Sequence, residues 1–145
     1  NGFARKMFPD LDVSANRAQV VLTSPIDGLS WSGCFHHDRG YDYFRDIDGR
    51  VLLGGGRQHH FEEERTEEFG TTDGVQQYLE SLLKEVILPG KEYTIEKRWS
   101  GIMGLGPTKT VIVEEVMPSV VCAVRMGGMG IALASTVGQR VAEKF

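Results

Sequence analysis

Several short segments of the chain combine β-forming residues with alternating apolar and polar positions. Apolar residues that recur at every second position are typical of a strand with one buried face. The last of these segments is almost continuously apolar, which predicts a buried strand. We therefore predict six strands, at residues 18–23, 41–47, 51–54, 93–99, 110–116 and 119–124.

The pair Asp48-Gly49 separates the second and third of these segments. A type I′ turn needs positive φ at both central residues, and Asp-Gly is one of the pairs that adopt it readily. The pattern predicts a β-hairpin that turns at Asp48 and Gly49. The polar stretch 57–72 and the glycine-rich stretch 100–107 are predicted to be loops.

Residues 74–88 show the three-to-four-residue spacing of an amphipathic helix, and a second helix is predicted at roughly residues 131–144. Asp73 is expected to cap the first helix, with Gln76 in the reciprocal position of a capping box. The second helix carries a small residue at every fourth position, which favours close packing against another backbone. These small residues are Ala134, Gly138 and Ala142.

The order of the predicted elements, β-β-β-α-β-β-β-α, indicates an α+β fold. We expect a largely antiparallel sheet with an amphipathic helix on one face, followed by a C-terminal strand, a glycine loop and a helix. A chain of 145 residues with 41% hydrophobic content suits one domain with a real core. Because the chain begins at Asn1 and not at Met, we also expect it to be a fragment of a longer protein.

Composition narrows the possible partners. The formal net charge is -4, with no basic stripe, and the acidic stretch 62–68 is typical of a solvated face, so we expect no nucleic-acid partner. No apolar run approaches the roughly 18 residues of a membrane span, and no signal peptide opens the chain. Cys34 and Cys122 lie far apart in apolar or aromatic surroundings. They are expected to be buried free thiols of a cytoplasmic protein.

Two histidine pairs, His36-His37 and His59-His60, are candidate metal ligands. Adjacent side chains of a strand point to opposite faces, so each pair offers about one ligand, and no HxH or HExxH spacing is present. Solvated loop histidines are the favoured interpretation, and a histidine-bound metal stays as a weaker alternative. Neither a GxSxG motif nor a cysteine signature is present, so a hydrolase is not favoured and neither cysteine is named as a catalytic residue.

The segment RMGGMGIAL, residues 125–133, places glycines between a strand and a helix. A dinucleotide fingerprint would require a further strand with an acidic residue about twenty positions on, and the chain ends first. A glycine loop at a helix N-terminus still offers free backbone N–H groups and the positive end of the helix dipole. That arrangement suits an anionic or electron-rich ligand edge, such as the N1 and C2 carbonyl edge of a flavin.

Three segments of the chain carry a resemblance to a known family. They are the opening NGFA…PDLDVSANRAQVVLT, the hairpin GYDYFRDIDGRVLLGGGR and the final stretch from RWSGIMGLGP to VAEKF. Together they resemble, over nearly all 145 residues, the C-terminal half of FAD-dependent oxidoreductases of the D-amino acid oxidase and glycine oxidase type. The resemblance implies that residues 1–117 are part of the substrate domain. Residues 118–145 would be the strand and helix that return to the FAD domain, and the N-terminal nucleotide-binding half is absent.

The resemblance also implies roles for individual residues. The loop residues Gly127, Gly128, Met129, Gly130 and Ile131 match the segment that holds FAD. Tyr43 matches a tyrosine placed over the substrate, although ordinary cross-strand packing explains it equally well. Arg45 lies on the same face of that strand and is a candidate partner for a carboxylate. Met103 stands where the amino-acid oxidases commonly carry a carboxylate-binding arginine. Either another residue binds an acid group, or the substrate is not a simple amino acid.

The activity implied by the resemblance is oxidation of a C–N bond by hydride transfer to the flavin. The implied partners are a small-molecule amine or amino-acid-like substrate and the missing N-terminal FAD domain. This chain alone is expected to bind FAD weakly or not at all. The alternative is a stand-alone α+β ligand-binding or dimerisation module, in which the small-residue face of the last helix forms a homodimer contact.

Overall fold

The structure is a computed structural model that describes all 145 residues. It contains seven strands: β1 (Ser14–Thr23), β2 (Cys34–His37), β3 (Asp42–Ile47), β4 (Arg50–Gly55), β5 (Ile95–Leu105), β6 (Ile112–Met117) and β7 (Val120–Val124). The α-helices are α1 (Ala4–Met7), α2 (Asp73–Leu82) and α3 (Gly130–Ala142), and a π-helical turn, Leu83–Ile87, extends α2. Short 3-10 turns lie at Asp38–Gly40 and Arg57–His59.

The strands form two sheets. Five of them lie in the order β2-β3-β4-β1-β5, and β6 pairs with β7 in a two-stranded sheet. The pairs β2/β3, β3/β4, β1/β4 and β6/β7 are antiparallel. The predicted α+β class with a largely antiparallel sheet is therefore confirmed.

The chain divides into two compact units. The hairpin unit comprises Ala18–Glu64 and Phe69–Gly101, and the loop unit comprises Asn1–Arg17, Arg65–Glu68 and Ile102–Phe145. The predicted boundary between residues 117 and 118 is a different one, between the substrate domain and the FAD domain of the full-length proteins that the chain resembles. It stays a prediction.

The core of the hairpin unit lies between the sheet and α2. Apolar side chains of β1 and β4, including Val21 and Leu53, pack against the apolar face of α2, including Leu79. All three are fully buried, and each such burial contributes about 1.5–3 kcal/mol. The prediction of an amphipathic helix on one face of the sheet is confirmed.

The hairpin β3/β4 turns at the predicted residues. Asp48 has a φ of 50° and Gly49 a φ of 72°, and the last bridge before the turn pairs Ile47 with Arg50. Both central residues of this two-residue turn therefore have the positive φ that a type I′ turn requires. The prediction of the hairpin and of its turn is confirmed.

The predicted N-cap of α2 is wrong. Asp73 is the first residue of the helix, Thr72 is the N-cap, and no side-chain capping hydrogen bond is formed. The Gln76 side chain donates instead to Oε1 of Gln19, which is buried in β1, at 2.9 Å. A buried acceptor needs a partner, so this tertiary hydrogen bond prevails over the local capping box.

The prediction of a glycine-rich loop at residues 100–107 is also wrong over most of its length, because β5 continues to Leu105. Gly104 is buried in this strand, and a Cβ there would collide with the Asn1 side chain and lie 3.0 Å from Val13. The glycine therefore permits a close approach within the strand and does not mark a turn.

Both cysteines are free, but the prediction that both are buried is wrong. Cys34 is exposed because β2 lies at the edge of the sheet, where all four of its residues are exposed. Cys122 is half-buried, and burial raises the pKa of its thiol. Its strand, β7, was predicted to be buried, yet only Val124 is, because the two-stranded sheet has few neighbours to cover it.

Helix α3 exposes most of its surface, and Val137 is its only buried residue. The small residues at positions 134, 138 and 142 are exposed, and a Cβ at Gly138 would meet no atom within 4 Å. The close backbone packing predicted for this face is therefore not formed within the chain, since α3 packs on β6 and β7 through another side.

Candidate functional site

The glycine loop follows β7 and leads directly into α3. Gly127 and Gly128 have φ values of 57° and 83°, which glycine adopts without steric cost. The Gly127 N–H donates to the Gly104 carbonyl at 3.2 Å, and the Met129 N–H donates to the Met126 carbonyl at 2.9 Å. These two N–H groups therefore shape the loop and are not available to a ligand.

The first turn of α3 contains backbone N–H groups that have no hydrogen-bond acceptor within the helix. The first hydrogen bond of the helix joins the Leu133 N–H to the Met129 carbonyl at 3.0 Å, so the N–H groups of Gly130 and Ile131 have no acceptor in the helix. Ile131 is 100% exposed and Met129 is 57% exposed. The Ala132 N–H also precedes this first bond, so three backbone donors and the positive end of the helix dipole lie at the start of α3, where they suit an electron-rich ligand edge.

Met103, on β5, lies beside this loop. Its Sδ is 3.5 Å from the position that a Cβ on Gly128 would occupy. The loop unit therefore brings together one predicted substrate residue and the predicted cofactor loop. A thioether cannot form an ion pair, so Met103 offers only a flexible apolar contact there.

Arg125 stands immediately before the loop, and the sequence analysis did not single it out. It is a non-glycine residue with a φ of 62°, and it is only 9% exposed. Its guanidinium donates to Asp12 and Thr110. The one signal in the sequence was an arginine between an apolar strand and a glycine pair, which by itself does not reveal a buried network.

Tyr43, in the hairpin unit, lies on the exposed face of β3. Its ring lies on Gly54 of β4, because a Cβ at Gly54 would stand 2.5 Å from Tyr43 Cζ and 2.6 Å from its hydroxyl oxygen. Gly54 is directly opposite Tyr43 in the strand register. Gly54 has no positive φ, so it is the ring of Tyr43, and not the backbone, that requires a glycine here.

The hydroxyl of Tyr43 is kept protonated. Partial burial, and then the negative charge of Asp42, raise the pKa of Tyr43 above its ordinary value. The phenol is therefore a hydrogen-bond donor throughout the neutral pH range. The contact with Gly54 sets the orientation of the Tyr43 ring. Of these two residues, only the tyrosine was predicted from the sequence.

Arg45 lies two residues along the same exposed face of β3, as predicted. Its Nε donates to the backbone carbonyl of Asp46 at 3.1 Å, and it forms no ion pair. Across the strands it faces Cys34 and Leu52. Its terminal guanidinium nitrogens form no hydrogen bond, although the charge of Arg45 also acts on the neighbouring Asp46 carboxylate.

Asp42 lies on the opposite face of β3 and is fully buried. Its Oδ2 accepts a hydrogen bond from the Tyr78 hydroxyl at 2.7 Å, and its Oδ1 accepts from the Gly56 N–H at 3.0 Å. Gln58 and His37 also contact this carboxyl group, at 3.1 Å each. Burial opposes ionisation, but these hydrogen bonds outweigh it and lower the pKa of Asp42. The ionised carboxylate joins β2, β3 and α2.

The histidines do not gather into a metal site. His37 contacts Asp42, and His60 Nδ1 lies 3.4 Å from a carboxylate oxygen of Glu63. The structure brings together no group of three or more histidine, cysteine, aspartate or glutamate side chains that could hold a metal ion. None of its helices combines the length and apolar character needed to cross a bilayer.

A sequence model of the FAD dependent oxidoreductase family (DAO) matches residues 1–144. The chain belongs to this family, whose cofactor is FAD. The predicted resemblance is thereby confirmed at the level of the family. No curated protein matches the chain.

Two solved structures show a similar fold. L-proline dehydrogenase from P. horikoshii is 18% identical with a TM-score of 0.63, and the similarity covers 90% of this chain and 35% of that protein. Glycine oxidase from Bacillus cereus ATCC 14579 is 14% identical with a TM-score of 0.66, and the coverage is 96% and 38%. The chain thus spans little more than a third of either protein.

Proposed function

We propose that this chain is the C-terminal part of an FAD-dependent oxidoreductase that oxidises a C–N bond of a small amine or amino-acid-like substrate. FAD, when bound, supplies the hydride acceptor for such a reaction. The observation that carries the proposal is the exposed glycine loop at the N-terminus of α3, in a chain that belongs to this family.

An open surface at the glycines and the positive end of α3 favour the proposed role of the loop in holding the cofactor. A Cβ at Gly127 would meet no atom within 4 Å, so the loop surface is open there. The N–H groups of Gly130 and Ile131 would hold the electron-rich edge of the flavin, aided by the helix dipole. Gly127, Gly128 and Met129 would act chiefly by giving the loop its shape.

Tyr43 and Arg45 are the residues proposed to bind the substrate. Side chains two positions apart on a strand share one face, at a separation of about 7 Å along the strand. A protonated phenol and an unpaired guanidinium on that face offer two donors to an acid group. In the loop unit, Met103 would offer an apolar contact beside the glycine loop, in place of the arginine of the amino-acid oxidases.

The proposal is tested with the flavoprotein that carries this chain together with a nucleotide-binding half. We expect a yellow protein that is bleached anaerobically by amines or amino acids. Arg45→Ala should raise KM for acidic substrates more than for neutral amines. A colourless protein with both halves present would contradict the proposal.

This chain alone should bind FAD weakly, because the loop would be only part of the binding site. Added FAD is then expected to show neither red-shifted absorbance nor quenched fluorescence. Stoichiometric yellow protein from this chain alone would refute that expectation.

A second candidate function is a stand-alone binding or dimerisation module. The exposed small-residue face of α3, at positions 134, 138 and 142, favours it, because such faces allow helices to approach closely. Analytical ultracentrifugation distinguishes the two. A dimer that Gly138→Leu dissociates would support the module, and a monomer would exclude a homodimer through this face.

A further inference from the structure

Arg125 has a backbone conformation that its residue type disfavours. A φ of 62° lies in the left-handed region, where a Cβ crowds the following carbonyl oxygen. Such conformations persist when surrounding contacts determine them, and they concentrate at binding sites. Arg125 separates β7 from the glycine loop, so the contacts that hold it also set the direction in which the loop leaves the strand.

The guanidinium of Arg125 supplies these contacts. Nη1 donates to the backbone carbonyl of Asp12 at 2.9 Å and to its Oδ2 at 2.8 Å. Nε donates to the Thr110 carbonyl at 2.9 Å, and Nη2 lies 3.1 Å from the Thr110 hydroxyl oxygen. One buried side chain thus joins the end of β7 to the segment just before its partner strand β6 and to Asp12, 113 positions away.

The backbone on both sides of Arg125 is also anchored. The Arg125 N–H donates to the Asn1 side-chain oxygen at 2.9 Å, and the Gly127 N–H donates to the Gly104 carbonyl. A Cβ at Gly104 would collide with that same Asn1 oxygen, and a Cβ at Gly106 would collide with Cδ of Arg125. The two glycines of β5 and of the turn after it therefore let the arginine and the loop approach closely.

We infer that Arg125 is the positioning residue of the glycine loop. Its buried guanidinium fixes the left-handed turn at the end of β7, and this turn aims the free N–H groups of Gly130 and Ile131. The inference rests on the proposed function, since it assigns to Arg125 control over flavin affinity and over the reduction potential of the bound flavin. Arg125 itself contacts no ligand in this role.

The test compares three variants of the flavin-loaded protein that carries this chain. Arg125→Gly accepts the positive φ but loses the guanidinium. We expect its FAD dissociation constant to rise roughly tenfold or more, because small displacements of positioned groups are costly. Its flavin reduction potential should become more negative, since the reduced flavin loses stabilisation. Arg125→Lys, which keeps one charged donor, should recover part of both effects.

Ser119→Gly is the matched control. Ser119 is another non-glycine residue of the loop unit with positive φ, 64°, but it is exposed in the turn between β6 and β7. This variant relieves the same backbone strain without touching the network. Its FAD affinity and reduction potential should equal those of the wild type.

Amide hydrogen exchange gives a readout that requires no flavin. Exchange at Gly127 and Met129, whose N–H groups are bonded within the chain, should accelerate in Arg125→Gly and stay unchanged in Ser119→Gly. If Arg125→Gly does not fold, Asp12→Asn removes one acceptor charge and should show a smaller change in the same direction.

The possible failures are distinguishable. If the wild type binds FAD and Arg125→Gly differs only in thermal midpoint, Arg125 is structural and the inference is wrong. Unchanged exchange at Gly127 and Met129 in Arg125→Gly would also overturn it. If the wild type with both halves present binds no FAD, the proposed function itself fails.

Discussion

Asp48 and Arg125 are both non-glycine residues with positive φ at the end of a strand, and different forces hold them there. Asp48 belongs to an exposed two-residue turn whose neighbour, Gly49, has no atom within 4 Å of a potential Cβ. Aspartate tolerates the left-handed region, so the turn forms from local chemistry. Arg125 depends instead on hydrogen bonds to Thr110, 15 positions away, and to Asp12, 113 positions away. Local turns are visible in a sequence, and turns held by tertiary contacts are not.

Alanine substitution at the two residues should show this difference most strongly. Arg125→Ala is expected to lower the free energy of unfolding by about 3 kcal/mol, chiefly through the lost bonds to Thr110, because bonds from charged donors contribute about 1.5–3 kcal/mol. Asp12 is 67% exposed, so water screens its ion pair, which adds little. Asp48→Ala should cost less than about 1 kcal/mol. Urea unfolding of both variants measures this, and equal losses would contradict the comparison.

A second substitution tests whether the contact with the Tyr43 ring explains why residue 54 is a glycine. Gly54→Ala should cost about 1–3 kcal/mol, because the new Cβ displaces the Tyr43 ring. Gly101, on β5, has no atom within 4 Å of a potential Cβ, so Gly101→Ala should change stability by no more than about 0.5 kcal/mol.

Thermal unfolding of both glycine variants, with and without Tyr43→Ala, isolates the contact. Removal of the ring should abolish the cost of Gly54→Ala. If the cost persists without the ring, some feature of β4 other than Tyr43 requires the glycine.

Two glycines with open surroundings, one in each of these turns, should respond alike to substitution. Gly49 and Gly127 have φ values of 72° and 57°, and a Cβ at either residue would meet no atom within 4 Å. Gly49→Ala and Gly127→Ala should therefore each cost about 1 kcal/mol, from backbone strain alone. Denaturant titration checks the equality. A much larger loss at Gly127 would mean that the loop is held more rigidly than its open surroundings indicate.

The smallest expected effect is a change in how stability depends on pH, and it concerns Asp42. Hydrogen bonds lower its folded-state pKa, so its contribution to stability is present above the unfolded pKa, near 4, and is lost as the pH falls through the folded pKa. Wild-type stability should thus decrease in acid below about pH 4. Asp42→Asn should flatten this decrease without affecting the pH dependence near neutrality. An identical acid profile in the variant would show that other carboxylates dominate.

The elements that depend on local pattern were predictable. The Asp48-Gly49 turn, the amphipathic face of α2 and the α+β class follow from spacing and turn chemistry. The loop at residues 100–107 was mispredicted, because a glycine that permits close approach within a strand is indistinguishable in sequence from one that forms a turn. The capping box failed for a related reason, since Gln76 bonds a residue that is 57 positions away.

The residues of the candidate site likewise comprise some that the sequence predicted and some that it did not. The glycine loop was predicted from its order after a strand and before a helix, Tyr43 from the resemblance to the family, and Arg45 from its position two residues further along the same strand face. Gly54 was missed although the predicted turn already places it opposite Tyr43. Arg125 was missed because its role depends on partners, such as Asp12, that folding brings from elsewhere in the chain. Which N–H groups of the loop are free likewise depends on the Gly104 carbonyl, which tertiary folding brings to Gly127.

By itself, the sequence determined the class of fold, the hairpin turn, the helical face that packs on the sheet and the family to which the chain belongs. All of these rest on residue order and local periodicity, which folding does not alter. Only the tertiary structure decided that Tyr43 rests on Gly54 and that a buried arginine sets the start of the glycine loop. Such roles depend on ångström-scale contacts of side chains with their neighbours, and the free energy of these contacts exists only once the chain has folded.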